Sequence, residues 1–129
     1  APISAVKDYG GAMPASGLSL VCTPGNDLEA VTGQVAVGAN LVLFSTGLGT
    51  PTGNTIAPVM KLATNTKIAE KLVDMIDFDC GSVIRGESLE KVADDLLEKI
   101  IATASGDCSV KANDLEQFDC MFWKRNTSL

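Results

Sequence analysis

The stretch NLVLFSTGLGTPTGN, residues 40–54, joins an apolar run directly to a segment rich in glycine and hydroxyl groups. The run NLVLF does not alternate between polar and apolar residues, which is typical of a strand covered on both faces of a sheet. Three glycines, a proline and several Ser and Thr residues follow, and no charged residue appears before Lys61. The stretch therefore predicts a buried parallel strand followed by a loop at its carboxyl end.

Strand-like and helix-like patterns alternate on either side of this stretch. A short apolar run at Leu18–Cys22 predicts one strand, and residues 56–64 predict another. Pro58 restricts the latter to a sheet edge or to a start near Val59. The alternation predicts an α/β fold that is Rossmann-like, with an open, mostly parallel sheet and helices on both faces. The helices are predicted at residues 26–38 and, capped by Asn65, at residues 65–75.

The clearest helical pattern runs from Ser88 to Ser105, where apolar residues recur every three or four positions. Ser88 is the predicted N-cap, and Gly106 is the predicted end of the helix. We expect its apolar side to pack on the core and its charged side to face solvent, a partner-binding helix being the alternative. Before it, Ile76–Ile84 is consistent with either a fourth strand or an ordered loop.

The length of 129 residues fits one domain with short flanking segments. We divide the chain into an approach segment at 1–16, an α/β domain at 17–106 and a C-terminal arm at 107–129. The arm contains FDCMFWKR, whose aromatic side chains we expect to pack on the domain or on another part of a parent protein. The first residue is not methionine, so we expect a piece of a longer chain.

The composition argues against several classes of function. The net charge of −6 does not suit a nucleic-acid surface, which needs clustered cations. There is no histidine, so this chain alone cannot build a Ser-His-Asp triad or a His-based zinc site. No apolar run is as long as a membrane span, and no signal peptide is visible. We expect a cytoplasmic protein with no nucleic-acid or membrane partner, whose four cysteines are reduced and mostly buried, two disulfides being the alternative.

The glycine-rich segment lacks the signatures of two common nucleotide-binding loops. A Walker A loop needs Lys and then Ser or Thr after its last glycine, whereas Gly53 is followed by Asn54 and Thr55. A dinucleotide-binding loop needs G-x-G-x-x-G, whereas one residue too many separates Gly49 from Gly53. The segment instead offers backbone N–H groups and neutral donors for a carboxylate or for hydroxyls, with Lys61 as the nearest cation. A plain glycine-rich turn and a nucleotide-binding module are the alternatives.

Several unusual strings occur in a fixed order between residues 17 and 106. They are TPGND at 23–27, FSTGLGTP at 44–51, GN at 53–54, PVMK at 58–61, Asn65, ID at 76–77 and GE at 86–87. In these strings the chain resembles the C-terminal part of the altronate and galactarate dehydratase family. TPGND leans toward the altronate branch, while FSTG followed by GN also suits the galactarate branch. The chain departs from the family near its end, where Gln117 stands in place of the histidine of a Gly-His-Arg-Glu string, so no role is assigned to the tail.

The resemblance implies a lyase that dehydrates a sugar acid, converting altronate to 2-keto-3-deoxygluconate and water. It implies Fe(2+) or Mn(2+) as the cofactor of the full-length enzyme, with ligands outside this chain. The implied partners are the small-molecule sugar-acid substrate and the rest of the parent chain, and a homo-oligomer is an open alternative. We therefore expect the isolated chain to be inactive. Alternative functions are a galactarate dehydratase, a relative of sulfolactate sulfo-lyase, and a structural or oligomerisation domain without catalytic residues.

Dehydration of a sugar acid removes the proton next to the carboxylate and expels the neighbouring hydroxyl, so the site needs a base and groups that stabilise an enediolate. We expect Lys61 to act as the base or to bind the carboxylate, a surface lysine at a strand end being the alternative. Asp77 is a secondary candidate, although a turn or cap role is favoured for both Asp77 and Asp79. The residues that we expect to bind the substrate are Ser45, Thr46, Gly47, Gly49, Thr50, Gly53, Asn54, Asn26 and Asn65. No metal ligand is assigned to this chain.

Overall fold

Five strands, four α-helices and one 3-10 helix make up the part of the chain that the computed structural model describes, residues 2–13 and 16–123. In chain order they are β1 (Ile3–Lys7), β2 (Leu18–Val21), α1 (Asp27–Ala36), β3 (Val42–Thr46), β4 (Val59–Ala63), α2 (Thr66–Lys71), β5 (Phe78–Asp79), the 3-10 helix (Gly81–Arg85), α3 (Leu89–Ser105) and α4 (Lys111–Asp114). Within the described ranges, no helix has the length and apolar character needed to cross a membrane. Positions 1, 14 and 15 of the predicted approach segment and 124–129 of the predicted arm lie outside the described residues.

The strands form two parallel sheets. β1 pairs with β2, and β4 lies between β3 and β5 in a three-stranded sheet. In the larger sheet, β3 and β4 run in register from Val42 opposite Val59 to Thr46 opposite Ala63. The α/β class and the parallel arrangement are confirmed. The described residues nevertheless hold two sheets rather than one, because β2 pairs with β1 and not with a strand of the larger sheet.

The central strand β4 forms the middle of the core, and all five of its residues are buried. Successive side chains of a strand point to opposite faces of the sheet. Met60 and Leu62 therefore pack on one face, beneath α3 and α4, whereas Val59 packs on the other face against Val31 of α1. Helices thus cover both faces of this sheet, as predicted. Each fully buried aliphatic side chain of this kind contributes about 1.5–3 kcal/mol to stability.

The long helix α3 has the predicted ends but only part of the predicted packing. The Oγ of Ser88 accepts a hydrogen bond of 3.0 Å from the first turn, and Gly106 ends the helix in the left-handed conformation with φ of 82°. Val92 and Thr103 are buried on the core side. Other apolar residues stay exposed because a helix resting on a sheet buries one stripe, and the apolar surface of α3 is wider than that stripe. The exposed ones include Leu89 (65%), Leu97 (53%) and Ile101 (56%).

The helix α2 is shorter than predicted and ends at Lys71 instead of reaching Met75. The helix ends here because the chain must return to the sheet within a few residues. Six residues after Lys71, the N–H of Asp77 donates to the carbonyl of Lys61 at 2.9 Å. The following segment, predicted as a strand or an ordered loop, contains both. Its first part is the short strand β5, and its second part is the 3-10 helix.

The last described residues run back over the domain. The N–H of Met121 donates to a side chain of α1 at 3.1 Å. The ring of Trp123 packs edge-on against Tyr9, with 5.6 Å between the ring centroids. Phe118 and Phe122 remain exposed, so only part of the aromatic group in the predicted arm packs on the described part of the domain.

The cysteines are less buried than expected. All four are free, but Cys22 and Cys120 are exposed, and Cys80 and Cys108 are half-buried. The prediction that they are mostly buried is wrong because two of them lie outside the packed elements. Cys22 follows the last residue of β2, and Cys120 lies in the C-terminal segment beyond α4.

Candidate functional site

The glycine-rich segment, which begins with the last two residues of β3, divides into two halves with different surroundings. The outer segment, residues 45–49, lies at the carboxyl end of the sheet, and all of its residues are exposed or half-buried. The inner segment, Thr50–Asn54, turns into the domain and is buried except for Pro51. The residues predicted to bind a substrate therefore do not form one continuous surface.

Asn65 ties the outer segment to the end of β4. Its Nδ2 donates to the carbonyl of Gly47 at 3.2 Å, and its Oδ1 accepts the N-cap hydrogen bond of α2 at 3.0 Å. Thr46 closes the turn, since its Oγ1 accepts from the N–H of Gly49 at 2.9 Å. Thr46, Gly47, Gly49 and Asn65 thus lie together at the carboxyl edge, next to the exposed Ser45.

Two glycines of the segment lie where a side chain would not fit. Gly49 has φ of +93°, and a Cβ there would be 2.1 Å from Cδ1 of Leu72. At Gly53 a Cβ would be 2.0 Å from the carbonyl oxygen of Gln117. The outer segment is therefore packed against the chain that follows α2, and the inner segment against the C-terminal segment.

The polar side chains of the inner segment are engaged within the domain. The Oγ1 atoms of Thr50 and Thr52 are hydrogen-bonded to each other at 2.8 Å. The Oδ1 of Asn54 accepts from the N–H groups of Ile56 and Ala57, at 2.9 and 3.4 Å, in the manner of an Asx turn. Thr50, Gly53 and Asn54 are thus buried and shape the loop in this structure.

Lys61 is fully buried in the middle of β4. Its Nζ donates to the carbonyl oxygen of Thr52 at 3.2 Å, so the inner segment encloses the ammonium. Burial lowers the pKa of Lys61, and the negative charge of Asp77 opposes that shift. The alternative of a surface lysine at a strand end is therefore wrong. A buried cation costs free energy, and a buried lysine with a perturbed pKa is a candidate functional group.

The two aspartates of the β5 region bind backbone groups. Oδ2 of Asp77 accepts from the N–H of Lys61 at 2.7 Å, and its Oδ1 accepts from the N–H of Lys111 at 2.8 Å. Oδ1 of Asp79 accepts from the N–H of Gly81 at 2.8 Å. Asp79 thus has the local turn role favoured from the sequence, whereas Asp77 joins backbone groups that are distant in the chain. The link from Asp77 to Lys61 was not foreseen, because it depends on the pairing of β5 with β4.

The described residues do not fit the divalent metal that the resemblance implies. Across residues 2–13 and 16–123, no three side chains of His, Cys, Asp or Glu are grouped so that they could hold a metal ion. Both carboxylate oxygens of Asp77 already accept backbone hydrogen bonds. The described residues therefore do not supply a complete set of three such ligands for the ion.

Asn26 lies apart from the interactions of the outer segment. It precedes α1, is exposed, and makes no side-chain cap hydrogen bond. Among the hydrogen bonds of the described residues, none joins its side chain to the outer segment. The structure therefore does not connect Asn26 with Asn65, although both follow parallel strands.

A cavity of about 190 Å³ opens beside Asn65. Two exposed cations border it, Lys67 and Arg85, and the latter forms a 3.1 Å ion pair with Glu70. These cations are not predicted from the sequence, because α2 and the 3-10 helix bring them to Asn65 only in the folded chain. A second cavity, of about 280 Å³, is lined by residues of β2 and α1 and by neighbouring ones without charged side chains. The complete lining of the first cavity is Asn65, Thr66, Lys67, Gly81, Ile84 and Arg85.

Comparison with known proteins gives one family and several relatives. The chain is 39% identical over 101 residues to altronate dehydratase of Escherichia coli (strain K12), which is 78% of this chain and 20% of the relative. It is 40% identical over 106 residues to altronate dehydratase of Bacillus subtilis (strain 168), which is 81% of this chain and 21% of the relative. It is also 40% identical over 91 residues to galactarate dehydratase (L-threo-forming) of Escherichia coli (strain K12), which is 70% of this chain and 17% of the relative.

The chain spans about a fifth of the length of the curated relatives that it matches. The family model described as D-galactarate/Altronate dehydratase, C-terminal, matches residues 1–128, which is nearly the whole chain. The resemblance found in the motifs between residues 17 and 106 thus extends over the segments on either side. This chain belongs to the D-galactarate/altronate dehydratase family and corresponds to the C-terminal region that its family model describes.

Proposed function

We propose that this chain is one part of a hydro-lyase that dehydrates a sugar acid, with altronate as the substrate and 2-keto-3-deoxygluconate and water as the products. The observation that carries the proposal is the match of residues 1–128 to the family model, together with about 40% identity to two altronate dehydratases. The whole enzyme would be a longer cytoplasmic polypeptide, of which these residues form the C-terminal region.

The outer segment and Asn65 are the proposed contact with the substrate. They lie at the carboxyl ends of β3 and β4, the edge at which parallel sheets bind ligands. The exposed Ser45 hydroxyl and the backbone N–H groups around Gly47 suit the hydroxyls and carboxylate of an aldonate. Lys67 borders the neighbouring cavity and is a cation that a carboxylate can reach.

Lys61 is proposed to act without contacting the substrate, through the inner segment that covers it. Its Nζ lies 3.2 Å from the Thr52 carbonyl under the inner segment, so contact with a substrate would require that segment to move. The burial favours a positioning role, in which the ammonium holds Thr52 and through it the turn that carries the outer segment. A direct role as base is the alternative, because a lowered pKa suits a lysine that removes a proton near neutral pH.

The two roles of Lys61 predict different kinetics for Lys61→Met in the full-length enzyme. A positioning role predicts a raised KM and an unchanged pH dependence of the remaining activity. A role as base predicts loss of kcat by about two orders of magnitude or more and loss of the limb of the pH profile that reports deprotonation of the base. Steady-state kinetics across a pH series separates them.

The divalent ion remains a proposal for the full-length enzyme. Fe(2+) or Mn(2+) would be held by ligands outside the described residues, since the carboxylates near the outer segment are engaged with the backbone. The residues of this chain would bind and orient the sugar acid beside that centre. A homo-oligomer is also compatible with the proposal.

A galactarate dehydratase is the second candidate, because the chain is as similar to one over 91 residues as it is to the altronate enzymes. A purely structural domain is a third. Replacing Asn65 with Ala in the full-length enzyme tests the structural-domain alternative, since unchanged KM and kcat would contradict a role of Asn65 in binding and favour that alternative.

The proposal that the chain works only as part of a longer enzyme has a direct test. The isolated 129 residues and the full-length protein are assayed side by side for release of 2-keto-3-deoxygluconate from altronate, with added Fe(2+) or Mn(2+). We expect turnover by the full-length protein alone. Turnover by the isolated chain would contradict the proposal.

A further inference from the structure

An exposed apolar stripe runs along α3 next to the side that packs on the sheet. Its members recur at intervals of four residues, so they line one edge of the helix. At 1.5 Å per residue, α3 is about 26 Å long, and the stripe follows most of that length. We call this set the α3 stripe: Leu89, Ala93, Leu97 and Ile101, all of them exposed.

The α3 stripe borders the side of α3 that packs on the core. Leu89 lies at the start of the helix on that side, and each later member is turned further away from it. Leu96 and Ile100 pack against the cluster around Met60, and Val92 is buried on the same side. The apolar surface of the helix is therefore about twice as wide as the part that its own domain uses. A contiguous apolar stripe of this kind on an otherwise charged helix marks an interaction surface.

The free edge of the α3 stripe is acidic. Glu90, Asp94 and Glu98 follow one another at intervals of four residues and are exposed. The ion pairs of this helix found in the described residues join Lys91 to Glu87 and Asp95, and Lys91 lies on the side away from the stripe. A partner that covers the stripe therefore meets apolar side chains bordered by negative charge.

We propose that the α3 stripe is covered by a segment of the same polypeptide that lies outside these 129 residues, apolar at its centre and bordered by Lys or Arg. About four fifths of each altronate dehydratase relative lies outside the match. A full-length enzyme of similar size would therefore contain enough additional polypeptide to cover the α3 stripe. A second copy of α3 fits less well, because it would bring its own row of acids against Glu90, Asp94 and Glu98. The proposal rests on the part of the proposed function that makes this chain a region of a longer enzyme.

The test uses the full-length protein with a photoreactive benzophenone amino acid in place of Leu97. The matched control carries the same amino acid in place of Asp95, which is exposed on the opposite side of α3. Isotopically light and heavy copies are mixed before illumination, so that mass spectrometry separates cross-links within one polypeptide from those between copies. Both positions are exposed, so neither replacement disturbs the core.

The expected result is a cross-link within one polypeptide from position 97 to a segment outside these residues, and its absence at position 95. Cross-links that join light and heavy copies at position 97 would show a second copy on the stripe and overturn the proposal. The absence of a cross-link at position 97, or equal yields at both positions, would also overturn it. The readout requires no turnover, so failure of the dehydratase proposal and failure of this one are distinguishable.

Discussion

Replacing Lys61 with Met tests how the domain accommodates a buried ammonium. Met is of similar length and uncharged, so Lys61→Met keeps the packing on β4 and removes the charge. The substitution loses the hydrogen bond to the Thr52 carbonyl, which costs about 1–3 kcal/mol if that oxygen stays unpaired. It also removes a desolvation penalty on the order of several kcal/mol. We therefore expect Lys61→Met to be at least as stable as the wild type at pH 7.

The difference in stability between the two proteins should depend on pH. Burial lowers the pKa of Lys61 in the folded state below its ordinary value of 10.5. Between these two pKa values the unfolded chain binds a proton at Lys61 that the folded chain does not, so the wild type gains stability as the pH rises. The advantage of the Met variant should therefore shrink with rising pH, by up to about 1.4 kcal/mol per pH unit, in a window that ends near pH 10.5.

The assay is urea denaturation of both proteins, followed by circular dichroism, at a series of pH values from neutral to 10.5. Taking the difference between the two proteins cancels groups that titrate in both. Lys67→Met removes an exposed lysine and controls for the loss of a positive charge. A difference for Lys61→Met that stays flat over this range, or a Met variant several kcal/mol less stable at pH 7, would contradict a destabilising burial of the Lys61 ammonium.

Two further substitution pairs test the loop. Gly53→Ala places a Cβ 2.0 Å from the Gln117 carbonyl oxygen, so we expect the free energy of unfolding to fall by about 1–3 kcal/mol. Gly25→Ala is the control, because a Cβ there meets nothing within 4 Å. Equal melting temperatures for the two variants would contradict the packing of the C-terminal segment on the loop. Asn65→Ala removes the N-cap bond of α2 and should cost about 1 kcal/mol in urea denaturation. Asn26→Ala removes no side-chain cap bond and should cost almost nothing, so similar losses for both would argue against the capping geometry.

The elements that local chemistry determines could be predicted from the sequence. Ser88 and Asn65 cap their helices with their own side chains, and Gly106 ends α3 in a conformation that glycine adopts readily. The start of β4 follows from Pro58, which cannot donate to a strand ladder. These outcomes depend on residues within a few positions of one another, and a sequence pattern can carry them.

The remaining features depend on contacts between distant segments. The burial of Lys61 requires the inner segment to fold back so that the Thr52 carbonyl reaches its Nζ, and a charged residue in a strand gives no sign of this. The end of α2 is decided by the pairing of Asp77 with Lys61 across the sheet. The cations beside Asn65 arrive from two separate elements. Such arrangements are set by packing, and no local pattern encodes them.

The central claim is that this chain belongs to an enzyme that dehydrates a sugar acid, and a substrate panel on the full-length protein tests it most directly. The measurement is kcat/KM for altronate, galactarate and sulfolactate with added Fe(2+) or Mn(2+), following the 2-keto-3-deoxy acid or the released sulfite. We expect dehydration with the highest kcat/KM for altronate. Release of sulfite from sulfolactate without dehydration of either sugar acid, or no turnover of any of the three, would contradict it.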